Sequence, residues 1–109
     1  MSNWLILIIA GLCETAFAAC LGKAKNSNGQ MANLWYALFV VFLIASMVLL
    51  IKAVKTIPLG TAYAVWTGIG AVGTAVVGIL LFNESSDWLR ILFICTLVAS
   101  IVGLKYVSH

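Results

Sequence analysis

The sequence predicts an all-α membrane protein with four transmembrane helices, and three observations lead there. Hydrophobic residues make up 64% of the 109 and charged residues only 8%, against about 25% charged in soluble domains. Four long stretches are almost free of charge: residues 4–22 with Glu14 alone, 34–51, 56–83, and 91–104 between Arg90 and Lys105. A bilayer core of about 30 Å takes roughly 20 helical residues, so these stretches consume most of the chain. Helices are expected at about 4–22, 34–54, 58–82 and 88–107, within a single domain spanning 1–109.

The first helix carries the most informative residue. Trp4 suits a membrane interface, and Glu14 lies ten residues further in. At 1.5 Å per residue that is about 15 Å, the middle of the bilayer. An ionised group there costs at least about 2.5–3.5 kcal/mol even on the lenient insertion scales. Hydrogen-bonded glue between membrane helices returns only about 0.6 kcal/mol on average, so a binding role fits better. Leu7, Ala10, Gly11, Phe17 and Ala18 share the face of Glu14, and most are small enough for close approach. Leu5, Leu12, Ala16 and Ala19 lie opposite, a surface lipid accepts. The motif FAAC at 17–20 resembles a lipoprotein cleavage site, but no basic segment precedes it and a Glu interrupts the apolar run, so a signal peptide is not expected.

Residues 23–33 read as the one polar loop of any length. Ser46 in the second helix can serve a site or simply bond its own i−4 carbonyl. In the connection 52–58, Thr56 is a candidate N-cap and Pro58 suits a first helical turn. Along the third helix Tyr63, Trp66, Thr67, Gly70 and Thr74 fall on one face, with Val65, Ile69, Val72, Val76 and Ile79 on the other. A buried Tyr or Trp seeks a partner for its O–H or N–H, and a carboxylate accepts. Gly68 and Gly70 lower helical stability and fit either a hinge or close packing. Ser86 or Asp87 would cap the fourth helix, while Trp35, Tyr36, Trp88 and Tyr106 fall near helix ends, as belt aromatics do.

The remaining composition excludes several classes. Cys13, Cys20 and Cys95 sit inside apolar helices without metal-ligand spacing and read as packing residues. No nucleophile–base pair appears, so no enzyme, metal or cofactor is expected. A net charge of +3 suits anionic headgroups in a lipid bilayer and gives no case for nucleic acid. With four spans, Lys52, Lys55 and Lys105 share one side and Lys23, Lys25 and Arg90 the other. Three against three gives no positive-inside bias. Either the charges are too few to inform, or copies insert both ways up.

A carboxylate beside Tyr and Trp in a dry site attracts an organic cation by charge and by cation–π contact. A planar guanidinium can engage both carboxylate oxygens. Proton and cation binding to one carboxyl exclude each other, which couples their fluxes. Four short helices cannot enclose a gated pathway, so at least a dimer is needed, and inverted copies would follow the inverted-repeat logic of larger transporters.

The chain resembles the small multidrug resistance family over nearly its whole length, in AGLCE at 10–14 and in PLGTAYAVWTGIGAVG at 58–73. The form GTAYAVWTGIGA and the ending GLKYVSH resemble its guanidinium-exporter subtype. The resemblance implies a multi-pass protein of the bacterial inner membrane: an antiparallel, dual-topology dimer exchanging protons for small organic cations through paired Glu14. It also implies that Ser46, Tyr63 and Trp66 form a hydrogen-bonded ring orienting Glu14. Phe17 stands where the subtype usually has Trp, and the first loop looks longer than usual. Both features occur in members that work as heteromeric pairs, yet such pairs carry opposite charge biases, so a homodimer is expected with a heterodimer kept open. Competing readings are export of bulkier hydrophobic or quaternary ammonium cations, which loss of that Trp would permit, and a non-transporting membrane subunit with Glu14 as interhelical glue.

Overall fold

The computed structural model describes residues 2–107, and the last two residues of the GLKYVSH ending lie outside them. Four helices follow in order: α1, Asn3–Lys25; α2, Gly29–Ala53; α3, Leu59–Leu81; α4, Trp88–Val107. Each is long and apolar enough to cross a membrane.

The helix ends depart from expectation where polar residues are helix-compatible. α2 begins at Gly29 rather than near 34, because hydropathy marks the lipid-facing part of a helix and not its full length. The long polar loop thus shrinks to Asn26–Asn28, and Gly29 makes the turn with φ +64°. Ser2 caps α1, its hydroxyl accepting from the Trp4 N–H at 3.2 Å. α3 is capped by Pro58; Thr56, the expected cap, instead accepts from the Asn3 side chain. That contact joins the α1 start to the α2–α3 connection. At the α4 start, Ser85 Oγ accepts the Asp87 N–H and the Asp87 carbonyl takes the Ile91 N–H.

α1 is the central element, packed along α2 and α3, while the α4 backbone comes close to α3 only. The core gathers Leu7, Ala10, Ala53, Ile57, Ala62, Val65 and Trp66 toward the Asn3–Thr56 end. At the opposite end Gly22 lies under the Phe82 ring, 2.6 Å from where a methyl group would reach it. Lys23 Nζ sits 6.0 Å from the same ring centroid, and Arg90 pairs with Glu84 at 2.7 Å. The chain extends 48 × 35 × 19 Å. A thickness of 19 Å is close to two helix diameters, so the described residues form a slab two helices thick.

Candidate functional site

The α1–α3 crossing is built on missing side chains. A methyl group on Gly11 would come within 2.6 Å of Ile69, and one on Gly73 would overlap Thr15. A methyl group on Gly70 would overlap the Glu14 carboxyl itself. Three glycines spaced along two helices therefore let the backbones close and leave the carboxyl lying directly against the α3 backbone. α3 runs unbroken through Gly68 and Gly70. Gly68 faces Ile101 of α4, with 2.8 Å to a hypothetical methyl, so both glycines are points of close approach in this conformation.

Glu14 Oε1 is buried and has no hydrogen-bond partner among the described residues. An acceptor held this way in an apolar region is costly unless something donates to it. One turn along α1, the polar residues are satisfied. Trp66 Nε1 donates to Ser46 Oγ at 2.9 Å, and Ser46 Oγ donates to the Ala10 carbonyl at 2.8 Å. Ser46 is fully buried and Trp66 is 7% exposed. The chain of bonds Trp66–Ser46–Ala10 thus ties α3, α2 and α1 together.

That network differs from the ring anticipated around Glu14. Ser46 commits its one hydroxyl proton to Ala10 and Trp66 its one N–H to Ser46, so neither donates to the carboxylate within this chain. Tyr63 touches the Trp66 ring at 5.4 Å and 60°, yet is itself 55% exposed. Phe17 meets Phe39 of α2 edge-on at 5.6 Å, giving one wall of the region two rings with no polar atom.

The aromatic, hydroxylated face of α3 is divided. Trp66 and Gly70 turn inward to α1 and α2, whereas Tyr63, Thr67 and Thr74 are exposed. Of the opposite, β-branched face, Val65 is buried and Ile69 packs on Gly11. Inside one chain Val65 and Ile69 of the aliphatic face serve the packing while Val76 stays exposed, and polar groups are left on a surface that would otherwise meet lipid. The Ala10 carbonyl acceptor and the Thr15–Gly73 contact are not apparent from the sequence. A backbone acceptor leaves no residue signature, but the Gly70–Gly73 spacing was available and points to a small-residue contact face.

Residues 2–97 match the model of the Small Multidrug Resistance protein family. The "Guanidinium exporter" of Salmonella typhimurium is 46% identical over 107 residues, covering 98% of this chain and 99% of that protein. That of Escherichia coli K12 is 45% identical over the same length. The Yersinia pseudotuberculosis protein of the same name is 49% identical over 105 residues, 96% of this chain and 98% of that one.

Proposed function

The chain belongs to the small multidrug resistance family, and from that premise we propose that it is a proton-coupled antiporter exporting guanidinium or small guanidinyl cations through paired Glu14. It is a multi-pass protein of the bacterial inner membrane and a small-cation efflux transporter, from a family of transporters that act as oligomers. The observation that carries the proposal is the buried Oε1 of Glu14, unpartnered among the described residues, against Gly70. A guanidinium supplies N–H donors in the fork that a carboxylate accepts. A proton on the same carboxyl removes that acceptor, so the two ligands exclude each other. The Trp66 and Tyr63 rings offer aromatic surface to a cation. Names given to relatives 45–49% identical over nearly the full chain support the substrate class.

One chain supplies half a site. The 19 Å slab exposes Tyr63, Thr67 and Thr74, and α4 has no buried residue. A second, inverted copy would cover this face and bring two carboxyls together near the midplane.

The Phe17–Phe39 pair favours a second reading. Two polar-free rings suit the hydrophobic body of a bulkier cation, so tetraalkylammonium export is the alternative. Guanidinium-evoked current in proteoliposomes holding this chain alone separates the readings. Current in the wild type that vanishes in Glu14→Gln is expected. Current with tetraethylammonium and none with guanidinium would replace the first reading by the second.

A further inference from the structure

Because the α4 backbone comes close to that of α3 only, an apolar groove is left between α1, α3 and α4. Its outer part is a cavity of about 290 Å³ between Trp4, Ile8, Val65 and Ile69 on one wall and Ile101 and Lys105 on the other. A second cavity of about 230 Å³ shares Ile69, Ile101 and Val102 with it and reaches Leu12, Gly73 and Val98. The two adjoin along these three shared residues, and we take them together as one groove. From Lys105 to Val98, or Trp4 to Leu12, it runs about 10–12 Å, most of the way from interface to midplane.

The mouth has a definite charge. Lys105 Nζ stands 5.4 Å from the Trp4 ring centroid, and Lys52 and Lys55 lie at the same end of the molecule, which the Asn3–Thr56 contact fixes. The three acids of the chain lie elsewhere: Glu14 at mid-depth, Glu84 and Asp87 at the opposite end. The groove is thus apolar inside and cationic at its rim, with an interfacial Trp beside the cation.

We propose that this groove binds one acyl chain of an anionic phospholipid, whose headgroup phosphate is held by Lys105. A hydrophobic cation would bring its charge onto the Lys105 ammonium, so the transported class is not the occupant. The lipid pattern matches on both counts: a flexible alkyl chain for the slot and an anion for its rim. Bound there, the lipid would add to the Lys105–Trp4 contact that links α4 to α1. This proposal is independent of which cation the protein exports.

The test is electron paramagnetic resonance of the full chain in phosphatidylcholine bilayers, with trace phosphatidylglycerol or phosphatidylcholine spin-labelled on the acyl chain. Wild type should immobilise phosphatidylglycerol about fivefold more strongly, the effect expected of one lysine at a membrane surface. Lys105→Gln should bring the two lipids near parity, while Lys55→Gln, outside the groove, should keep most of the preference. Val102→Trp should lower the immobilised fraction by narrowing the slot, with an unchanged size-exclusion profile as the folding check. The proposal fails if wild type shows no preference, or if Lys55→Gln matches Lys105→Gln, since a diffuse surface field would then suffice. It also fails if Val102→Trp dissociates the oligomer and leaves lipid selectivity intact, because a second copy would then be the occupant.

Discussion

Ser46 holds three helices with one hydroxyl, accepting from Trp66 and donating to Ala10. Ser46→Ala leaves the Trp66 N–H unpaired in an apolar interior, at a cost of about 1–3 kcal/mol. It should lower the midpoint of thermal unfolding in detergent, and Ser46→Thr should recover part of the loss. Glu14 responds to a different test. Glu14→Gln keeps a hydrogen-bonding side chain in place, so interhelical glue would survive it and cation exchange would not. Glu14→Asp draws the carboxyl back by one methylene from Gly70, and exchange should persist with a rate lowered about 10–100-fold, as misplacement of this order produces. Guanidinium-resistance growth reads both. Glu14 was legible because an ionisable group in an apolar run is conspicuous. The partner of Ser46 was not, since a hydroxyl in a membrane helix finds acceptors that only packing reveals.

The α1–α3 pair makes glycine position, rather than glycine content, the working variable. Gly70→Ala places a methyl group where the Glu14 carboxyl lies, so guanidinium affinity should fall at least about tenfold while the helices still form, since Ala favours helix over Gly. Gly60 has nothing within 4 Å of its hypothetical methyl group, and Gly60→Ala should leave binding unchanged. Binding titrations in detergent distinguish the two, and equal effects would show that the Glu14–Gly70 contact is not the reason. Helix number was legible because apolar runs of membrane length are unambiguous. The start of α2 was not, because Gln30 and Asn33 continue a helix beyond the lipid as readily as they would end it. The division of the α3 face also escaped the sequence. Periodicity placed Tyr63 and Trp66 together, but only packing sends Trp66 inward and leaves Tyr63 exposed.

At the scale of the whole molecule, a slab two helices thick with a carboxyl facing its own α3 backbone calls for a second copy. The basic residues, three at each end, exert no preference for one orientation. Single-cysteine labelling at Ser27 and at Lys55, in a background lacking Cys13, Cys20 and Cys95, should modify each position from both sides of intact cells. One-sided modification of every copy would exclude the inverted dimer. In the proposed mechanism one carboxyl serves proton and cation in turn. Calorimetric titration of guanidinium into the purified protein, in buffers of different ionisation enthalpy, counts protons released per cation bound. The account predicts proton release in the wild type, with affinity weakening by up to about tenfold per pH unit as pH falls, and neither binding nor release in Glu14→Gln. Guanidinium binding that releases no proton at any pH would contradict it.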